Sequence, residues 1–363
     1  MKIAVVGNLA NLGYVIAKSL RNIGQDCDLF ITCKKNNIHP TQNPDNYEKI
    51  DDKSWIKIYD TSNPLKAFVE GKKIFPKYDR IIALTLSPAY VQFFNKNFIA
   101  ICNGSDIREF AFGKGIYNKL LKRAYKKAKH ILCSISEIDW APKALGIEKK
   151  TSLFPTPIET EKFERQNKAN IGNEKLSIFL PSSWSKIGSF AGSKGTDIFL
   201  DGCADLLDKG YDFNIKIINQ RNNPNTKPQD AEYVQNLLKK YPKNFLILEP
   251  IKDKNLLIDE YLKVDIVADQ FFLGMFGMIG LETLSCKKPL INSYLTKYDK
   301  IYDNDSPPII IANTKQEVSQ KIKEIIDNNN RKEFLNNLGT RGYQWVKKHH
   351  DSKILALKIM DVI

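Results

Sequence analysis

Residues 274–291 read GMFGMIGLETLSCKKPLI, and within them Gly274, Gly277 and Gly280 crowd ahead of one carboxylate, Glu282, in a stretch otherwise apolar enough for a core. Each glycine inside a helix would weaken it by roughly 1 kcal/mol relative to alanine, so three of them ask for a reason beyond packing. A loop or helix start whose main chain must come close to a ligand supplies one, and it makes Glu282 a candidate ligand contact. The alternative is a buried helix carrying Leu281 and Leu284, followed by a buried strand through Pro289, Leu290 and Ile291. It leaves the glycines unexplained.

Three further stretches carry residue types that suit an anionic ligand. VVGNLANLG follows the first apolar run and opens the first helical pattern, where a phosphate-binding turn would sit. It is not GxGxxG: Gly7 and Gly13 stand too far apart, and no acidic residue clearly closes the next strand as a ribose partner. N–H groups near Gly13 can face an anion at the helix N-terminus; a tight turn without a ligand explains the same residues. CNGSDIRE puts Asp106, with Asn103 and Arg108 in the same turn, directly after a buried run, where polar groups at the carboxyl end of a parallel strand point into a cleft. Asp106 would equally serve as a helix cap. In FLPSSWSKIGSFAGSKGTD, Lys194 and Gly195 precede a helical pattern; a lysine at the mouth of such a turn can neutralise a diphosphate, though a solvated lysine is ordinary in so lysine-rich a chain.

The elements that must position these residues are short apolar runs alternating with helical patterns. Strands are predicted at residues 3–6, 27–31, 80–86, 98–102 and 131–134, with helices at 14–22 and 116–129 between them. The rhythm breaks over 154–175, where Pro155, Pro157 and Gly172 mark a linker. A second series follows, with strands at 177–180, 214–218, 245–248, 265–268 and 289–292. The fold class is therefore α/β, with two Rossmann-like parallel-sheet domains facing across a cleft. The expected domains are 1–153, the linker 154–175, 176–340, and C-terminal helices over 341–363 that pack back on the first domain.

Composition narrows the class of partner. With 363 residues, 42% hydrophobic and 26% charged, the chain suits two soluble globular domains, and neither a signal peptide nor a run of transmembrane length is seen, so a cytoplasmic location is expected. Six cysteines without CxxC spacing read as reduced core residues, and four histidines assemble no metal cluster, so no metal is predicted. The net charge of +14 calls for an anionic partner: nucleic acid, the inner face of a membrane, or a phosphate-bearing substrate. No zinc-finger, homeodomain or RNP-type pattern accompanies the lysines, which sets nucleic acid aside.

Taken together, VVGNLANLGY, GSDIR, FPTPIETEKF, KGTD, YLKVDIVADQ and ADQFFLGMFGMIGLETLSCKKPLI stand in an order that resembles the GT-B glycosyltransferases, in particular family 4 retaining enzymes whose late motif runs DQ, a glycine-rich turn, LE and KP. The likeness extends over nearly the whole chain. It implies a nucleotide-sugar donor held by the second domain and a glycan or lipid-linked acceptor held by the first. Glu282 matches the carboxylate that binds the donor ribose, and Lys194 the cation on the diphosphate, with Lys186 as its basic partner. Main chain from Phe276 through Gly277, Met278 and Ile279 would face sugar and phosphates. Asp106, Asn103 and Asp269 are the expected catalytic set, with Asp269 on a sugar hydroxyl. Two departures stand out: many relatives carry a glutamate at the position of Gly274 and a histidine at that of Asn103. The implied chemistry is a retaining transfer by positioning and charge stabilisation, with no cofactor and no metal. A catalytically silent sugar-nucleotide-binding subunit is the alternative. An epimerase of the same architecture would need cleft carboxylates and histidines that the chain does not offer.

Residues 116–129, IYNKLLKRAYKKAK, form one apolar stripe of Tyr117, Leu120, Leu121, Ala124, Tyr125 and Ala128, with lysines and Arg123 on the remaining surface. A packed stripe would leave that basic surface outward, suited to an anionic membrane carrying a lipid-linked acceptor in cell-surface polysaccharide or oligosaccharide assembly.

Overall fold

The structure, a computed structural model, describes the chain except for residues 34–37, 39–41, 45–49, 96, 134–137, 139, 165–174, 187–193, 224–225 and 252. Part of the expected linker and the stretch IGSFAGS therefore lie outside the described residues. The chain divides into two units, Met1–Glu159 with His350–Ile363, and Thr160–His349.

The first unit is built on seven strands: β1 (Lys2–Val6), β2 (Asp26–Cys33), β3 (Ile56–Asp60), β4 (Arg80–Leu84), β5 (Phe98–Cys102), β6 (His130–Cys133) and β7 (Thr151–Leu153). They pair in parallel in the order β3-β2-β1-β4-β5-β6-β7. Central strands are covered on both faces, which is why KIAVV and FIAIC are continuous apolar runs rather than alternating ones. Period two still sorts the side chains: Ala4, Val6 and Ala83 enter one layer, Ile3, Val5 and Leu84 the other. The second layer is closed by helices Leu12–Asn22 and Ser352–Met360, whose Leu355, Ala356 and Ile359 are buried.

The second unit carries β8 (Ser177–Leu180), β9 (Asn214–Ile218), β10 (Phe245–Leu248), β11 (Ile266–Ala268), β12 (Leu290–Asn292) and β13 (Ile310–Ile311), parallel in the order β10-β9-β8-β11-β12-β13. Helices Thr196–Asp208 and Lys315–Ile326 cross closely at Gly202, where a Cβ would come within 2.7 Å of Val318. All six cysteines are buried.

In each sheet the strand order reverses at one point, between β1 and β4 and between β8 and β11. In an open α/β sheet the carboxyl ends of such a strand pair are the usual ligand position. The predicted strand 80–86 stops at Leu84 because Thr85 turns left-handed, with φ 54°. The helix predicted at 14–22 begins at Leu12, and that at 116–129 ends at Lys127.

Candidate functional site

In the second unit, the loops after β8 and β11 bring together Asp269, Lys194, Glu282 and the start of helix Met278–Ser285. Asp269 follows β11 and is fully buried. One carboxylate oxygen accepts from the Ser182 hydroxyl at 2.8 Å, the other from the N–H groups of Gly280 at 3.1 Å and Gly277 at 3.2 Å. It therefore anchors the helix N-terminus, where a negative charge also meets the positive end of the helix dipole. Gly277 makes this possible: a Cβ there would lie 2.6 Å from Asp269 Oδ2 and 3.2 Å from Lys194 Nζ. The N–H groups of Met278 and Ile279 belong to the first turn and have no acceptor within the helix.

Gly274 has another cause. Its φ is +68°, and a Cβ would meet Leu295 Cγ at 2.5 Å. A glutamate at this position, as in many family 4 enzymes, would need a different turn. Two of the three glycines that the sequence attributes to a ligand are thus also demanded by Asp269 and Leu295.

Lys194 is half-buried and sits immediately before Gly195, a left-handed residue at the start of helix Thr196–Asp208. Its N–H donates to Ser185 Oγ at 2.7 Å, and its carbonyl accepts from the Phe271 N–H at 2.7 Å. Ser185 N–H in turn donates to Thr196 Oγ1 at 2.8 Å, so Ser185 is tied to both Lys194 and Thr196. Among the described residues, the Lys194 ammonium makes one long hydrogen bond, 3.5 Å to Gln270 Oε1. Lys186 lies elsewhere, with Nζ 4.1 Å from the centre of the Tyr233 ring.

Glu282 projects from the second turn of helix Met278–Ser285 and is 3% exposed. It forms an ion pair with Lys254, and its other oxygen accepts from the Tyr261 hydroxyl at 3.1 Å. Burial and the neighbouring Glu282 charge push the Tyr261 phenol well above its ordinary pKa, so it stays protonated and donating. Neither Lys254 nor Tyr261 was singled out from sequence, although YLKVDIVADQ begins at Tyr261.

In the first unit, Asp106 is buried beyond β5. One oxygen accepts from the Asn103 N–H and the other from the Tyr125 hydroxyl, each at 3.1 Å. Burial, then the Asp106 charge, raises the Tyr125 phenol well above its ordinary pKa. Asp106 thus ties the turn after β5 to helix Ile116–Lys127. Gly13 is a packing glycine: a Cβ would fall 1.9 Å from the Gly7 carbonyl oxygen. The helix start beside it is occupied by Asn8, whose Oδ1 accepts from the Tyr14 N–H at 2.7 Å. Thr85, at the strand-order reversal, is a β-branched residue held at positive φ, a strained conformation that sequence does not disclose.

Two parallel-sheet α/β domains with these strand orders have the GT-B architecture. No known family matches the chain by sequence profile, and no curated protein matches it by sequence. Solved structures do match over its whole length. Sucrose-phosphate synthase from Thermosynechococcus elongatus superposes with a TM-score of 0.68 at 13% identity, covering 100% of this chain and 98% of that one. HepE from Anabaena, in complex with UDP, gives 0.70 at 11% identity and 99% of both chains. A glycosyltransferase from Rickettsia africae gives 0.66 at 15% identity, over 99% of this chain and 97% of that one.

Proposed function

We propose that the protein is a retaining glycosyltransferase that moves a sugar from a nucleotide-sugar donor to a glycan or lipid-linked acceptor. The observation that carries this is the anion-directed corner of the second unit: Lys194 and the first-turn N–H groups of Met278 and Ile279 meet at the bare Cα of Gly277, with Glu282 one turn further along the helix. In this arrangement the ammonium and the N–H pair receive the diphosphate, so no metal is required, and Glu282 accepts from the ribose hydroxyls. Lys254 and Tyr261 hold that carboxylate in place before the donor arrives. Asp269 fixes the pitch of the loop beside the sugar and is assigned to a sugar hydroxyl.

The bond from the anomeric carbon to the diphosphate breaks, and the bond to the acceptor oxygen forms on the same face. The acceptor proton passes to the departing diphosphate oxygen, so the protein needs no strong general base; its part is positioning and stabilisation of the leaving charge. Asn103 and Asp106 are assigned to the acceptor side, in the first unit. HepE, of the same fold, is a protein solved with UDP and with UDP-glucose, which supports a nucleotide-sugar as the donor class.

Thermal unfolding against a panel of nucleotide sugars and free nucleoside diphosphates tests the donor. A donor at 100 to 1,000 times its Kd stabilises by about 3–4 kcal/mol, and a panel without any shift would overturn the proposal. One observation favours a catalytically silent donor-binding subunit: the Gly274 turn leaves no room for the glutamate of many relatives. Donor binding without transfer or donor hydrolysis in any acceptor mixture would decide for that alternative.

A further inference from the structure

The surface of the first unit around helix Ile116–Lys127 has a composition that packing does not explain. From Phe110 to Lys129 the chain carries seven basic residues and no acidic one. Lys114, Lys119, Lys122, Arg123, Lys126, Lys127 and Lys129 are all exposed, and none makes an ion pair with a described residue. The helix is already satisfied on its other side, where Leu121, Ala124 and Tyr125 are buried, so the basic face is not a by-product of a helix awaiting its core.

The second observation is apolar. Phe110 is 42% exposed, Phe112 41%, Ile116 81% and Trp140 43%, and these residues gather at the N-terminal end of the same helix. Phe110–Phe112 is a 3-10 turn joined to the helix by a short bend, and the Asn118 side chain donates to the Phe110 carbonyl at 2.8 Å, holding turn and helix together. Trp140 stacks on Phe112 with centroids 5.6 Å apart. At 100° per residue, Ile116 shares its stripe with Lys119, Arg123 and Lys127, so the most exposed aliphatic residue of the unit's helices lies in line with the cations. Large aromatic and aliphatic groups at one end of a purely basic face match the two layers of an anionic membrane surface, acyl boundary and head groups. A protein partner of complementary acidity would satisfy the lysines, but an interface core depletes charge around its aromatic residues, whereas here seven cations and no acidic residue adjoin them.

We infer that this face docks on an anionic lipid bilayer, with Phe110, Phe112, Ile116 and Trp140 entering the interfacial layer and the basic stripe lying along the head groups. No helix among the described residues is long and apolar enough to cross a membrane, so attachment through this face would be peripheral. The inference gives the lipid-linked acceptor of the proposed function a place to be met; its test needs no sugar donor, so either can fail alone.

Co-sedimentation with phosphatidylcholine vesicles, with and without phosphatidylglycerol, decides it, read together with quenching of tryptophan fluorescence by brominated acyl chains. Trp55, Trp184 and Trp345 are buried at 8%, 1% and 4% exposure, so quenching reports Trp140. The expected result is binding to anionic vesicles at low salt with Trp140 quenched, and a weaker, residual binding at molar salt. K122Q/R123Q/K126Q/K127Q should lose several-hundredfold in partitioning, at roughly fivefold per residue. F110S/I116S should abolish the salt-resistant remainder and the quenching while circular dichroism stays unchanged. Absence of binding at low salt, binding without Trp140 quenching, or binding indifferent to both sets of substitutions would overturn it.

Discussion

Gly277→Ala tests the geometry of the donor corner most directly. The backbone at Gly277 has φ −87° and ψ 177°, which alanine adopts without strain, so any effect must come from the added methyl group. That carbon would lie 2.6 Å from Asp269 Oδ2, 3.2 Å from Lys194 Nζ and 3.4 Å from Asp269 Cγ. The carboxylate cannot swing into solvent, being fully buried and held by Ser182 and two helix N–H groups. Relief therefore sacrifices one or both of those N–H bonds, each worth about 1.5–3 kcal/mol to a charged acceptor, so a loss of about 2–4 kcal/mol is expected. For a unit of this size that lowers Tm by roughly 4–16 °C. Displacement of Lys194 should also weaken binding of the free nucleoside diphosphate by about tenfold, or about 1.4 kcal/mol. Scanning calorimetry and titration calorimetry read the two effects separately. With Asp269→Ala in the background the clash disappears, and Gly277→Ala should then cost under about 0.5 kcal/mol. Equal costs in both backgrounds, or a single variant as stable as the parent, would refute the reasoning.

Glu282→Gln should weaken donor binding by about 1.5–3 kcal/mol through loss of a charged acceptor. The Lys254 partner, 17% exposed, means a stability loss as well; adding Lys254→Met should restore stability without restoring affinity, and recovery of both would remove Glu282 from the site. For Asp269→Asn, transfer should fall while affinity for the free nucleoside diphosphate stays nearly unchanged; equal losses measured for the two would refute its assignment to the sugar.

Much of the architecture could be read directly from the chain because buried parallel strands are apolar on both faces. Runs such as 3–6, 98–102 and 214–218 coincide with β1, β5 and β9. The strands overlooked are β3, β7 and β13, at the edges of the sheets, where half-exposed pattern or brevity leaves little apolar signal and pairing alone defines the strand. Glu282 and Lys194 are conspicuous through glycine spacing and the resemblance to family 4. The contacts of Glu282 with Lys254 and Tyr261 are not, because they depend on how helix Lys254–Leu262 lies against its neighbour, and no spacing encodes that. Likewise the tie between Asp106 and Tyr125 needs the folded position of a helix whose pattern discloses only which face is apolar.

Helix Ser352–Met360 places Leu355, Ala356 and Ile359 in the same layer as Ile3, Val5 and Leu20. During synthesis, then, the first unit cannot complete its core when its own seven strands have emerged. About 190 further residues must be added first, a wait of roughly 10–40 s at bacterial to eukaryotic elongation rates of about 5–20 residues per second. Throughout that interval the apolar groove beside helix Leu12–Asn22 lies open to chaperones or to aggregation. Emergence of residues 352–360 is what allows Ile3, Val5 and Leu20 to become fully buried.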